Sequence, residues 1–257
     1  MRIVLFSDIH GNSIALDAVL NDIKKLGPID AYWILGDLVG IGPDPVGVMD
    51  RLYRLNNAQI ILGNTDRYVL TGKRPQPKPQ AIASDTKLLP LAMDIAGSFA
   101  WTQGAITAAG WLEWLGRPAK EVRYTLPDGT KMLGVHASPG KDNGSGIHPG
   151  LSQSEICKLV KGCKEDLLFV GHTHWPLDMT VGSMRIVNLG SVSNPLPPDL
   201  RACYTVLDAD SNGFTLEQRR VEYNHQAVIA AVERVRHPAA GYITRLMRGE
   251  HQPGWVK

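Results

Sequence analysis

Along the first third of the chain, apolar residues alternate between short continuous blocks and helical spacing. Residues 2–7 (RIVLFS) form an unbroken run of strand length, the pattern of a strand covered on both faces. From 13 to 26, Ile14, Leu16, Ala18, Val19, Leu20, Ile23 and Leu26 recur with helical period, and Gly27-Pro28 closes the helix. AYWILGD (31–37) is the next strand, Pro45 opens a helix to about Asn56, and QIILGN (59–64) is a third strand. A β-α-β-α-β series with short connections predicts an α/β fold with a mostly parallel sheet.

The pattern then breaks. Residues 73–80 (KRPQPKPQ) carry three prolines in eight positions and predict a surface loop. Residues 84–116 read as a helical insertion rich in Ala and Trp (Trp101, Trp111, Trp114). These tryptophans are either core or a cap that stacks on substrate, and core is favoured for an amphipathic helical pair. Strands at 121–126 and 131–136 flank the turn Pro127-Asp128-Gly129, a helix covers 152–162, and DLLFV (166–170) resumes the rhythm. Strands follow at 184–188, 202–208 and 214–223, then a helix from about His225 to Arg236, with a loosely ordered tail from His237. There is no internal repeat.

Composition narrows the class. The chain has 257 residues, 44% hydrophobic and 20% charged, with 27 Lys+Arg against 25 Asp+Glu and a net charge of +2. That is globular composition, without the basic field of a general nucleic-acid binder. No stretch approaches the about 18 apolar residues of a spanning helix. Three cysteines without a CxxC pair or an apparent signal peptide predict reduced thiols and a cytoplasmic location.

Chemistry concentrates where the strands end. The first strand runs into Asp8-Ile9-His10-Gly11-Asn12, the second into Gly36-Asp37, the third into Gly63-Asn64-Thr65-Asp66, and later ones into His136 and Gly171-His172-Thr173-His174. Carboxyl ends of strands are where α/β sites form. The donors Asp8, His10, Asp37, Asn64, His136, His172 and His174 offer oxygen and nitrogen without thiolate, a set suited to Mn, Fe or Zn. Seven donors exceed what one tetrahedral ion needs, so two ions sharing a carboxylate are expected. Asp8 and His10, and again His172 and His174, stand at i and i+2, which puts each pair on one face if the strand persists. Each block alone is an ordinary turn signal; their recurrence at successive strand ends is what carries weight. His148, His225, His237 and His251 belong to no such block and read as surface or loop residues.

Taken together, Asp8-Ile9-His10, Gly36-Asp37, Gly63-Asn64-Thr65-Asp66, Gly134-Val135-His136 and Gly171-His172-Thr173-His174 resemble the motifs of the calcineurin-like metallophosphoesterases. Their pattern runs D-x-H, G-D, G-N-H-D/E, H, G-H-x-H. The resemblance spans residues 1 to about 195, with Asn188-Leu189-Gly190-Ser191 similar to the motif that follows. In its details it resembles the small prokaryotic phosphodiesterase and diadenosine tetraphosphatase-like branch. It implies a four-layer α/β/β/α sandwich of two mixed sheets, here one domain over residues 1–257 with a helical insertion at about 71–118. Carried over, Asp8, His10 and His174 hold one divalent ion, Asn64, His136 and His172 a second, and Asp37 bridges. Mn is the expected metal, with Fe, Zn, Ni or Co as alternatives, and no organic cofactor is expected. Asn12, Asn64, Asp66 and Arg67 are the expected catalytic and positioning residues, with Arg67 either holding substrate phosphate or pairing with Asp66.

The implied activity is hydrolysis of phosphodiester or nucleotide-type substrates by a hydroxide bridging two metals. One departure stands out: Thr65 occupies the position of the family histidine that stabilises charge or protonates the leaving group. A hydroxyl cannot replace that acid, which predicts either a preference for leaving groups needing little protonation, such as nucleoside phosphates or aryl oxides, or the recruitment of another acid. The competing readings are a non-catalytic partner-binding protein on the same fold, and a nuclease, for which Lys73, Arg74 and Lys78 supply only a short basic track. The expected partner is a small phosphoester or nucleotide, without membrane or nucleic acid, and a homo-oligomer is left open.

Overall fold

In the computed structural model, which describes residues 1–252 with Gly254 and Trp255, the first apolar block is strand β1 (Arg2–Phe6). It pairs in parallel with β2 (Ala31–Leu35), and β2 with β3 (Ala58–Ile61). On its other edge β1 takes β9 (Ala202–Asp210) antiparallel, and β10 (Gly213–Val221) completes the sheet in the order β10-β9-β1-β2-β3. The second sheet is formed by β4 (Glu121–Thr125), β5 (Lys131–Val135), β6 (Leu167–Val170), β7 (Leu177–Val181) and β8 (Met184–Asn188), in the order β4-β5-β6-β8-β7. Its inner strands are parallel and its edge strands antiparallel. Both sheets are therefore mixed, as the resemblance implied.

The continuous apolar block of β1 has a simple cause. Ile3 and Leu5 point between the sheets, where they meet Trp33, Leu35, Met132, Phe169 and Val187. Val4 and Phe6 face the other way, onto Leu16 and Val19 of α1 (Ser13–Ile23) and Met49 of α2 (Pro45–Tyr53). A strand sandwiched on both faces needs apolar residues at every position, and burying each such side chain contributes about 1.5–3 kcal/mol. The outer face of the second sheet (Leu133, Val135, Leu168, Ile186) packs on Ile156 of α7 (Gln153–Leu159), which gives four layers.

Three elements depart from the sequence expectation. The Gly-Asn-Thr-Asp block is the start of a helix, α3 (Asn64–Thr71), with Gly63 at its N-cap and the Asp66 carboxylate accepting from the Gly63 N–H. Strand β7 was not expected; it forms a hairpin with β8 through Gly182-Ser183. The tail after His237 contains α9 (Ala240–Met247), whose Ile243, Leu246 and Met247 are buried against Val228 and Val232 of α8 (His225–Arg234). The i, i+3, i+4 spacing of those three residues is that of one helix face.

The region after the Pro-rich loop forms α4 (Pro79–Ser84), the long α5 (Leu89–Ala108) and the short α6 (Leu112–Leu115). Phe99, Ile106 and Leu115 join the core beneath α3. Trp111 and Trp114 pack on Tyr53 at centroid distances of 5.3 and 6.3 Å, and Trp111 Nε1 donates to Asp50 at 3.1 Å. They are packing residues, not a stacking cap. Among the described residues no helix is long and apolar enough to cross a membrane.

Candidate metal centre

The ends of β1, β2, β3, β5 and β6 converge on one edge, and the side chains there fall into two groups. Asp8, His10 and His174 form one, and Asp37, His136 and His172 the other, each with its ligand atoms within 4.8 Å of one another. Asp37 faces both groups: Oδ2 lies 3.8 Å from His10 Nε2, and Oδ1 lies 3.4 Å from His136 Nε2. The amide terminus of Asn64 lies 3.2 Å from His136 Nε2 and 2.8 Å from His172 Nδ1. Facing two imidazole nitrogens, that amide either donates through nitrogen or, with a cation between them, binds it through oxygen. All seven donors expected from the sequence are thus brought together.

The donors fit metal ions on three counts. Asp8 Oδ1 is fully buried without a hydrogen-bond partner among the described residues, although His174 Nε2 is 3.2 Å away and His10 Nε2 3.7 Å. A buried carboxylate oxygen left so is costly unless a cation takes it. His10 Nε2 and His174 Nε2 stand 3.0 Å apart, and two donors each about 2.1 Å from one ion are separated by about 3.0–3.4 Å. The set is imidazole and carboxylate without thiolate, which suits first-row divalent ions. His136 is oriented for the task by its Nδ1, which donates to Leu35 O at 2.6 Å and leaves Nε2 facing the site.

Burial and mutual charge set the protonation states. Burial alone would raise Asp37, but His136, His10 and His172 outweigh it and hold the carboxyl far below the usual range. Asp8 is likewise lowered, burial being overcome by His174. Burial pushes His10 down to about 4, its carboxylate neighbours offsetting only part. For His136 the balance is reversed: Asp37 overcomes burial and pushes it up to about 10. Ionised carboxylates beside neutral imidazoles are the forms that bind cations, so a cation held by His136 would have to displace its proton.

The backbone holding these groups is strained. Asp8 (φ 58°), His10 (48°), Asp37 (52°), His172 (67°) and His174 (61°) are five of the eight described non-glycine residues with positive φ. Each costs of order 1–3 kcal/mol and persists only where surroundings impose it. The strands do not persist into the motifs: β1 ends at Phe6 and β6 at Val170, so the i, i+2 pairs reach the site through left-handed turns and not from one strand face. The turns are locked together by Asp8 N–H to Gly36 O (3.1 Å), His10 N–H to Asp37 O (2.9 Å) and Gly11 N–H to Leu38 O (2.9 Å). Two glycines are needed for close approach. A Cβ on Gly63 would lie 2.1 Å from Asp37 Oδ1, and one on Gly171 would lie 2.5 Å from Asp8 Oδ2.

The other expected site residues stand behind the donors. Asn12 caps α1, accepting from Ala15 N–H and donating to Ser193 Oγ, both at 3.1 Å. Asp66 accepts from the N–H groups of Leu38 (2.9 Å), Val39 (3.0 Å) and Gly63 (2.9 Å), so its oxygens are occupied by backbone. Burial and the charge of Asp37 push it up to about 7. Arg67 pairs with Asp142, at 2.5 and 2.9 Å, and not with Asp66. The Thr65 hydroxyl donates to Val39 O at 2.8 Å.

Of the histidines expected on the surface, His148 and His237 are buried. His148 stacks on Trp255 with centroids 4.3 Å apart, and His237 packs on Trp101. His251 shares a cleft of about 250 Å³ with His172, His174 and Tyr242. Sequence reading missed Tyr242 and His251 because the tail carries no motif, and missed Asp142 because it lies in an irregular loop.

Two mixed sheets whose strand ends bring two groups of possible metal donors to either side of one carboxylate have the arrangement of a metal-dependent α/β hydrolase. The family model of the calcineurin-like phosphoesterase superfamily domain matches residues 1–212, and the chain belongs to that superfamily. It is a metal-dependent phosphohydrolase. The crystal structure of a metallophosphoesterase from Sphaerobacter thermophilus is 27% identical, with a TM-score of 0.71 over 97% of this chain and 99% of that one. An uncharacterized protein of Methanocaldococcus jannaschii is 28% identical over 92% of this chain and 93% of its own. A symmetrical bis(5'-nucleosyl)-tetraphosphatase of Baumannia cicadellinicola is 37% identical over 71 residues, 27% of this chain and 25% of its own.

Proposed function

We propose that this chain hydrolyses small phosphodiester or nucleotide-type esters at the paired donor groups, with Mn as its metal. The observation that carries the reading is Asp37, whose two oxygens each face a histidine of a different group. Divalent ions held there supply an activated water and neutralise charge on the phosphoryl oxygens. The protein's own contribution is positioning and preorganised charge. Asp37 stands between the groups, kept ionised by its histidines. Asp66 is a positioning residue, since it ties the loop after β2 to the start of α3 through backbone N–H groups. Asn12 does the same for the loop after β1. Arg67 is held by Asp142 and lies 4.7 Å from the Tyr68 ring, where it sets the local charge beside Asn64.

The partial likeness to a bis(5'-nucleosyl)-tetraphosphatase supports a nucleotide-type substrate. Arg74 and Lys78 of the short basic track hydrogen-bond to backbone carbonyls of their own neighbourhood, which favours a small substrate over a nucleic acid. Three free cysteines support a reducing, cytoplasmic setting. The test is metal analysis together with hydrolysis of bis(p-nitrophenyl) phosphate with added Mn²⁺. Two ions per chain and turnover abolished in Asp37→Asn are expected; two ions bound without turnover on any phosphoester would overturn the reading.

A further inference from the structure

Beyond Asn64 and Thr65 lies a second cavity, of about 300 Å³, whose walls differ in kind from the donor groups. Ile41, Tyr68, Ile95, Phe99 and Tyr242 line it, drawn from the loop after β2, from α3, from α5 and from α9. Because Asn64 and Thr65 are themselves part of the lining, the cavity opens on the candidate metal centre. A mostly apolar pocket with few polar groups, of about 300 Å³ or more, is the usual character of a small-molecule site.

Two further observations mark it as built. Ile41 has φ 72°, a left-handed conformation that is a genuine outlier for a β-branched residue and is retained only where the surroundings impose it. The turn is tied to the loop after β1, the Gly42 N–H donating to His10 O at 2.7 Å and the Asp44 N–H to Gly11 O at 2.8 Å. Tyr68 and Phe99 form an edge-to-face pair with centroids 5.6 Å apart, an aromatic wall of the kind that receives a planar ring. The few polar groups are suited to a heterocycle's edge. Ser98 is 5% exposed, and Gln76 and the exposed Asp94 and Arg245 complete the polar lining beside Asn64 and Thr65.

We infer that this cavity seats a planar unsaturated ring carried by the phosphoester, packed among Tyr68, Phe99 and Tyr242, while the phosphate lies on the donors beyond Asn64. The inference rests on the phosphoester reading above and deepens it. The shared chemistry is a ring-bearing ester, whose source is either the nucleoside or the aryl group. Aromatic walls hold any base by its face without selecting among bases.

The experiment has two arms. In the first, the EDTA-treated full chain is mixed with thymidine or p-nitrophenol, and saturation transfer from protein to ring protons is recorded. Transfer that disappears in Ile95→Arg, a variant that fills the cavity, is expected. In the second, the Mn²⁺-loaded protein is offered p-nitrophenyl thymidine-5'-phosphate and methyl p-nitrophenyl phosphate, which share a leaving group. A preference of at least tenfold in kcat/KM for the thymidine ester, lost in Ile95→Arg, assigns the cavity to the nucleoside ring. No preference, with both esters falling tenfold in the variant, assigns it to the aryl ring. Tyr242→Ala, which removes a wall and widens the cavity instead of filling it, repeats both arms should Ile95→Arg misfold. Hydrolysis with no ring transfer and unchanged ratios in both variants overturns the inference and leaves the phosphoester reading intact. Ring transfer without hydrolysis of any ester does the reverse.

Discussion

The Asp8 carboxylate accepts the backbone N–H of His172 at 2.9 Å through Oδ2, while its Oδ1 faces His174 and His10. One side chain thereby joins the end of β1 in the first sheet to the end of β6 in the second. Asp8→Asn preserves shape but loses the charge and presents an amide nitrogen to one of those two partners. The expected result is a folded protein that binds at least one fewer ion and loses about 100-fold or more in kcat with Mn²⁺, measured by metal analysis and steady-state kinetics. Asp8→Ala should also lose the tie between sheets, at about 1–3 kcal/mol in denaturant unfolding. Wild-type metal content in Asp8→Asn would show that this carboxylate is not a ligand.

Asp66 is expected to act at a distance from the reaction. Its three backbone N–H partners come from Leu38 and Val39 after β2 and from Gly63 before α3. Asp66→Ala leaves all three donors buried and unpaired, so a loss of about 2–4 kcal/mol of stability is expected. Asp66→Asn keeps only one good acceptor oxygen and should fall between. Measured by urea unfolding of metal-free protein, equal stability of wild type and Asp66→Ala would contradict the positioning role.

His237 gives a pH-dependent stability that does not involve the metal centre. It is 3% exposed, its Nε2 has no hydrogen-bond partner among the described residues, and Trp101 lies 4.7 Å away. Burial lowers its pKa to about 4. A depressed histidine means that the unfolded chain binds the proton more tightly. Stability is therefore full above pH 6.5 and is lost as pH falls from 6.5 toward 4, by about 2 kcal/mol at pH 4.5 for this group alone. His237→Asn keeps an acceptor for the Ala239 N–H, which the Nδ1 of His237 now receives at 3.1 Å. Unfolding free energies of the two proteins at pH 7 and 4.5 should show the variant losing less on acidification; equal losses would reject the assignment.

Much of this molecule could be read before any coordinate. The apolar blocks of β1, β2 and β6 are legible because strands covered on both faces leave no polar positions. The donors stand at strand ends and announce themselves by residue type. What could not be read is how they are aimed. The positive φ of Asp8, His10, Asp37, His172 and His174 is imposed by hydrogen bonds between loops far apart in sequence, and no local pattern encodes it. Asp66 resembled a turn residue because its acceptors serve Leu38 and Val39, which lie almost thirty positions earlier. Tyr242 reaches the site only because α9 docks on α8, a tertiary fact.

Thr65 cannot serve as an acid where it stands. Its hydroxyl donates to Val39 O at 2.8 Å and its N–H to Asp37 Oδ1 at 2.8 Å, so both of its donors are committed. Arg67 beside it is held by Asp142 with its pKa raised, chiefly by that hydrogen bond, and a guanidinium does not give up a proton near neutrality. With neither Thr65 nor Arg67 able to give up a proton, a leaving oxygen beside them would depart as the anion, and its own basicity would then control the rate. A series of aryl and alkyl phosphodiesters should give log(kcat/KM) falling steeply with leaving-group pKa, by several tenths of a log unit or more per unit. Thr65→Ser, which keeps the hydroxyl, should leave that slope unchanged. A flat dependence in the wild type would mean that a proton is still delivered, and His251, which shares the cleft with His172 and His174, would be the group to remove next. Restoration of a steep slope in His251→Gln would then transfer the acid role to that histidine.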